Sequence, residues 1–248
     1  MKRVRALLIA DPLIVAATIF FGSISLLVSL FDHAGNTQLR VARAWARTLL
    51  AVSGVRVRVE GLEHIARDTP YVFIANHLSY MDTPVILAHI PVQFRFLAKR
   101  GLFKIPFLGQ HLSRAGHVPV PREDPRAAVK TMQKAAEIIR QKSISLLIFP
   151  EGGRTHDGIL GPFKEGAAYI AIRAGVPIVP LTIAGTRAIL PYGSAMPVAG
   201  DVSLRVLRPI ETAGLELRDR GRVTEEVRVT IAQEIGQADL TPVSSSPS

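Results

Sequence analysis

The sequence contains no cysteine. Disulfides, thiolate metal sites and a cysteine nucleophile are therefore excluded. The redox compartment stays open, because a chain without cysteine folds in reducing or oxidising surroundings alike. Aromatic residues are scarce, at 6%, and no basic run carries the interleaved aromatics on which bases stack. Charged residues make up 20%, below the roughly 25% usual for soluble domains. No G-x-S-x-G occurs, which argues against a covalent serine route. The charge that is present has an excess of one sign: 30 Lys and Arg against 20 Asp and Glu give a formal net charge of +10. An anionic partner follows. Without stacking aromatics, nucleic acid is not expected, and anionic membrane lipids are. The 48% of hydrophobic residues fit a protein with one apolar surface.

That surface is placed at the start of the chain. Residues 6–31 are apolar apart from Asp11 and a few Ser and Thr. Asp11-Pro12 marks a helix start, and 13–31 approaches the roughly 20 residues that span a bilayer. Lys2, Arg3 and Arg5 precede it. The run exceeds a usual signal-peptide core, and no small-x-small cleavage site follows Phe31, so a retained segment is expected. Over residues 37–52, Arg40, Arg43 and Arg47 recur at helical spacing and share one face. This predicts a helix in the membrane interface, with arginines at headgroup phosphates and Trp45 at the boundary. The alternative is a core-packing helix with a solvated basic face. Because both flanks of the apolar run are basic, the positive-inside rule does not orient a single span. A helical hairpin dipping into one leaflet keeps both flanks cytoplasmic. Residues 1–53 are thus expected to be membrane-associated helices at the cytoplasmic face of an inner or plasma membrane.

After Gly54 the pattern changes. Short β-rich runs at 55–60, 71–75, 94–98, 117–120, 145–149, 178–184 and 202–207 read as strands. Asp124-Pro125 supplies an N-cap and an N1 proline for a helix to about Lys142. Residues 166–174 form a second helix, ended by Gly175. A third, from about Thr224 to Ile235, carries Val223, Val227, Ile231 and Ile235 on one stripe. Strands alternating with helices predict a single α/β domain over 54–240, with a mixed, mostly parallel sheet flanked by helices. The Pro/Ser-rich tail 241–248 is expected to be disordered.

Two polar motifs follow apolar strands, where such sheets place their chemistry. The first is Asn76-His77-Leu78-Ser79-Tyr80-Met81-Asp82. On one continuous helix His77 and Asp82 would diverge by about 140°. They can meet only if the chain leaves the strand and turns before the helix begins. Asp82 could then fix the imidazole tautomer and leave the other nitrogen as a base. Zinc is a poor alternative, since His89 and His111 are not at ligand spacing. The second motif is Phe149-Pro150-Glu151-Gly152-Gly153-Arg154-Thr155. Paired glycines let backbone N–H groups approach an anion, Arg154 offers a fork matched to phosphate oxygens, and Lys164 could add charge.

Together these motifs resemble the 1-acylglycerol-3-phosphate acyltransferase family of H-x4-D glycerolipid acyltransferases. Gly116-His117-Val118-Pro119-Val120-Pro121-Arg122 is similar to the family's second block, and Val176-Pro177-Ile178-Val179-Pro180-Leu181 to its fourth. Gly153 and Thr155 depart from the family's F-P-E-G-T-R-S, and Pro121 stands where an acidic residue is common. The hydrogen bond of the missing hydroxyl must then come from water or Thr155. The resemblance implies a glycerol-3-phosphate acyltransferase-like fold and acyl transfer from acyl-CoA or acyl carrier protein to the sn-2 hydroxyl of a lyso-phospholipid acceptor, 1-acyl-glycerol-3-phosphate. It implies His77 as general base with Asp82 behind it. Asn76 and Gly152 become substrate-binding positions, Lys99 a phosphate or oxyanion contact, and Arg122 and Arg154 the grip on the acceptor phosphate. Glu151 would orient Arg154 or the glycerol. No metal or bound cofactor is implied. The alternatives are an acyltransferase for lyso-ornithine lipid or lysophosphatidylglycerol, or a lipid-binding protein without catalysis.

Overall fold

Along the central strand Val72–Ala75, residues alternate between two apolar layers, as a strand buried on both faces must. Phe73 and Ala75 join one cluster with Ile86, Phe94, Leu147 and Leu181. Val72 and Ile74 join a second with Ala135, Ile139, Ile170 and Val227. Helices cover both faces, giving a single α/β domain. The computed structural model describes residues 11–236 except 33, 122, 156 and 195. The basic residues before the apolar run, the tail 241–248 and the expected phosphate contact Arg122 lie outside the described residues.

In chain order the strands are β1 Val55–Glu60, β2 Val72–Ala75, β3 Phe94–Lys99, β4 Val118–Val120, β5 Ser145–Ile148, β6 Ile178–Ala184 and β7 Gly200–Val206. They form one seven-stranded sheet ordered β1-β7-β6-β2-β5-β3-β4. From β6 to β4 every pairing is parallel; β7 runs antiparallel to β6 and pairs in parallel with β1. The mixed, mostly parallel sheet expected from the sequence is present. The parallel run turns the carboxyl ends of β2, β5, β3 and β4 toward one edge, and both polar motifs leave from that edge.

The helices are α1 Asp11–Val28, α2 Asn36–Ser53, α3 Asp82–His89, α4 Leu108–Arg114, α5 Pro125–Lys142, α6 Gly166–Ala174, α7 Thr186–Ile189 and α8 Arg220–Glu234. Asp124 caps α5 by accepting from Ala127 N–H at 3.0 Å, with Pro125 in the first turn. Helix α8 starts four residues before the expected Thr224, because a capping box at Glu216 and Asp219 opens the preceding 3-10 turn.

Helix α1 folds back along α2, which buries Leu39, Ala46, Leu49 and Leu50 against the domain. The expectation that Arg43 meets headgroup phosphates is corrected. Arg43 turns inward and donates to Ile90 O and Val92 O, at 2.7 and 2.5 Å, while Arg40 and Arg47 stay exposed. Trp45 donates to Thr18 Oγ1 on α1 at 3.1 Å. A guanidinium donating to partly buried carbonyls in the turn between α3 and β3 is worth more there than at a hydrated surface. The turn between the helices rests on Arg95, which is 2% exposed and donates to Ala34 O and Asn36 Oδ1. Burial holds the Arg95 pKa down to about 10, so the side chain remains charged at neutral pH.

Candidate active site

Strand β2 ends at Ala75, and the chain turns before α3 begins at Asp82. This removes the geometric objection of a continuous helix. His77 Nδ1–H donates to Asp82 Oδ2 at 2.8 Å, and the Leu78 and Ser79 N–H groups donate to the same oxygen at 2.7 and 2.9 Å. A carboxylate can only accept, so the bond fixes the His77 proton on Nδ1 and leaves Nε2 with its lone pair. Asp82 is completely buried and His77 partly open. Ser79 anchors the turn from below, its hydroxyl donating to Leu190 O at 2.8 Å. The Phe149 ring stacks on the imidazole at 4.0 Å between centroids, tilted by 17°.

The second motif leaves the neighbouring strand β5 and is bonded to the first. Glu151 Oε1 accepts the His77 N–H at 2.7 Å, and Oε2 accepts the Gly161 N–H at 3.3 Å. Thr155 N–H donates to His77 O at 3.1 Å. Burial pushes the Glu151 carboxyl up to about 7, against those two N–H bonds, with Asp82 and Asp157 adding to the rise. Of the two roles expected for Glu151, orienting Arg154 or the glycerol, the first is corrected, since its oxygens accept the His77 and Gly161 N–H groups and brace the His77 backbone. Arg154 instead lies over the Tyr80 ring, Cζ to centroid 3.5 Å, and near Tyr192 at 4.5 Å. Flat stacking presents the guanidinium edge, with its donors, to an incoming anion.

Several expected contacts are placed differently. Asn76 is fully buried; its amide donates to Ile183 O and accepts from Ile183 N–H, at 2.9 and 2.8 Å. It ties β2 to β6 and does not reach a substrate. The Gly152 N–H donates to Phe149 O at 3.1 Å, so that amide is not free for an anion. Gly152 serves by its shape: φ is +80°, and an added Cβ would lie 3.1 Å from Lys164 Nζ, so the ammonium packs against the loop. The hydroxyl of Thr155 is buried with no partner among the described residues. It does not supply the bond expected of it. Lys99 is exposed at the end of β3, in register with Val120 of β4, two residues before Arg122.

No sequence motif marks the apolar cavity beside this edge. It has a volume of about 380 Å³ and lies between α1, α2, α3, α4 and β3. Thr83, next to Asp82, and Phe96 line its inner wall. Phe96 stacks with Phe149 at 6.5 Å, so two rings separate the cavity from His77. Tyr80 was visible inside the first motif, but Tyr192 belongs to no motif and only the fold brings it in. Among the described residues no group of three His, Asp or Glu could hold a metal.

The family model described as Acyltransferase matches residues 56–184. A 1-acyl-sn-glycerol-3-phosphate acyltransferase of Saccharomyces cerevisiae is 31% identical over 226 residues, covering 90% of this chain and 74% of that protein. The human 1-acyl-sn-glycerol-3-phosphate acyltransferase alpha is 30% identical over 79% of this chain and 71% of its own length. The chloroplastic enzyme BAT2 of Brassica napus is 36% identical over 79% of this chain, which spans only 55% of that relative. The crystal structure of the 1-acyl-sn-glycerophosphate acyltransferase PlsC of Thermotoga maritima superposes with a TM-score of 0.79 at 26% identity, covering 98% of this chain and 100% of that one. A seven-stranded sheet, a His77–Asp82 pair at its carboxyl edge and these matches agree: the chain belongs to the acyltransferase family.

Proposed function

We propose that this chain transfers a fatty acyl group from acyl-CoA or acyl carrier protein to the sn-2 hydroxyl of 1-acyl-glycerol-3-phosphate, giving phosphatidic acid. The observation that carries the reading is the His77–Asp82 pair, with its free Nε2 at the sheet edge and an apolar cavity two rings away. His77 Nε2 takes the proton of the acceptor hydroxyl as its oxygen bonds to the thioester carbon. Asp82 stabilises the imidazolium. Collapse of the tetrahedral intermediate breaks the C–S bond, and the Nε2 proton passes to the departing thiolate. The half-buried Glu151 keeps the His77 backbone in register through this cycle.

The acyl chain enters the cavity, whose lining is mostly Phe, Leu, Val and Ala with Trp45. The acceptor phosphate is gripped by Arg154 and Lys164, joined by Lys99 at the end of β3 and by Arg122, two positions after β4 in the sequence. The α1–α2 hairpin dips into the cytoplasmic leaflet, which supplies both lipids. Support comes from α1 itself, 18 residues long, with most of its length uncovered by the protein.

Purified protein incubated with labelled acyl-CoA or acyl carrier protein and a panel of lyso-lipids tests the reading. Transfer to 1-acyl-glycerol-3-phosphate above the others is expected. Preference for lyso-ornithine lipid or lysophosphatidylglycerol would replace the acceptor, and binding without transfer would overturn catalysis.

A further inference from the structure

The segment joining β3 to α4 exposes large apolar side chains on a rigid frame. Leu102, Ile105, Phe107 and Leu108 are 39%, 46%, 74% and 40% exposed. Water-facing loops do not ordinarily group four such residues within seven positions. Nor is this group floppy. Phe107 has φ +61° and ψ −55°, and Leu108 N–H donates to Pro106 O at 2.7 Å. These values describe a γ-turn of the rare, strained hand, here on a bulky residue rather than a glycine. The turn is locked from beneath by Gly109, where an added Cβ would come within 2.1 Å of Phe103 O. Backbone strain held to display a phenyl ring to solvent calls for a partner.

We infer that residues 102–108 form a second membrane-insertion element that enters an anionic phospholipid leaflet beside α1. Two observations select a bilayer over a protein partner. The first is charge: Arg100 and Lys104 are exposed on the same short segment, placed for lipid phosphates while the apolar tips go deeper. The second is continuity with the uncovered apolar side of α1, where Ile19 and Phe20 are 65% and 60% exposed. The two elements are bonded together, Ser25 on α1 to His111 on α4 at 2.6 Å and Arg114 to Ser29 Oγ at 2.9 Å. They also share a cavity rim, since Phe21 and Gly22 of α1 face Pro106, Phe107 and Leu108 across it. The cavity mouth therefore opens between two inserted elements, at acyl-chain depth rather than into water.

The natural chain has no cysteine, so single-cysteine labelling needs no background removal. Full-length Phe107→Cys and Ile105→Cys carry a nitroxide and are bound to vesicles of equimolar phosphatidylcholine and phosphatidylglycerol. Val229→Cys, on α8, is the reference. Labels at 105 and 107 should relax mainly by collision with oxygen, and the label at 229 mainly by collision with a water-soluble nickel complex. In sedimentation with the same vesicles, Ile105→Asp should lower partitioning about tenfold. Neutralising Arg100 and Lys104 together to Gln should weaken binding only when phosphatidylglycerol is present. Nickel-accessible labels at both 105 and 107, or unchanged partitioning of Ile105→Asp, overturn the inference. Neither readout requires acyl transfer.

Discussion

The sheet edge and the α1–α2 hairpin are held by opposite means. At the edge, polar groups are buried or half-buried and tied mostly to backbone: Asp82 takes three donors on one oxygen, the half-buried Glu151 takes two N–H groups, and Asn76 gives its amide to Ile183. In the hairpin, apolar groups remain exposed, and a few polar anchors fix the helices to the domain: Arg95 under the turn, Arg43 at Ile90 and Val92, Ser25 at His111. The edge is organised to hold one imidazole within narrow limits. The hairpin is organised to hold a large surface in one orientation. Removing one group should cost the edge activity without stability, and should cost the hairpin stability or orientation without touching the imidazole.

The sharpest break in that contrast is at His77. His77→Ala should lower acyl transfer roughly 10²- to 10⁴-fold, the usual share of general base help. The fold should survive, because Glu151 and Thr155 bond the residue-77 backbone, which alanine keeps. The stack on Phe149 and the Nδ1–H bond to Asp82 are lost, about 1 kcal/mol each, while the Leu78 and Ser79 N–H groups still hold the Asp82 carboxylate. Turnover of labelled donor and a thermal melt of the same preparation check both halves. A large melt shift would mean the edge is structural after all.

Arg95→Met tests the other region. It removes the donors to Ala34 O and Asn36 Oδ1 and leaves those acceptors stranded against the domain. A loss of about 3 kcal/mol is expected, with part of the cost recovered because a buried cation no longer has to be desolvated. Limited proteolysis should cut within residues 29–35 well before the rest of the chain. Cleavage there at the wild-type rate would show that the turn is held by something other than the guanidinium.

How much could be read beforehand follows the same division. The strands and the placement of both motifs were legible, because short β-rich apolar runs and Gly/Pro punctuation are local signals. The His77–Asp82 contact was legible as a possibility, since a strand end followed by a turn is also local. What Arg43, Glu151, Asn76 and Tyr192 do was not. Each has a partner far along the chain, so their roles depend on which strand lies beside which, an outcome of packing rather than of neighbouring residues. Arg43 shows this well: helical spacing put it on a basic face with Arg40 and Arg47, yet the face is wide enough for one arginine to turn inward. The cavity, built from five elements, had no sequence signature at all.

Glu151 gives a smaller effect with a definite sign. Its carboxyl is held at about 7 in the fold, against 4.5 ordinarily. Between those values the folded protein binds the proton more tightly than the unfolded chain does. Stability should therefore fall as pH rises from 4.5 to 7, by an amount up to about 3 kcal/mol. Glu151→Gln retains an acceptor for the His77 N–H but cannot titrate, so it should flatten this slope in urea melts across the range. An equally steep slope in the variant would assign it to another group.

The smallest effect expected is at Arg154, where the edge borrows the hairpin's style and holds a charge by stacking. Arg154→Lys keeps the charge but loses the planar fork and its fit over Tyr80. A flexible ammonium is not held edge-on by the ring, so the acceptor phosphate would meet a point charge free to move. Grip weakens before chemistry does, since His77 and its partners are untouched. KM for the phosphate-bearing acceptor should rise about tenfold with kcat nearly unchanged, a difference of about 1.4 kcal/mol. Tyr80→Leu should reproduce the same KM change while leaving Arg154 in place. If kcat fell instead, Arg154 would be acting on the transition state, and the acceptor phosphate would need another anchor among Lys99, Arg122 and Lys164.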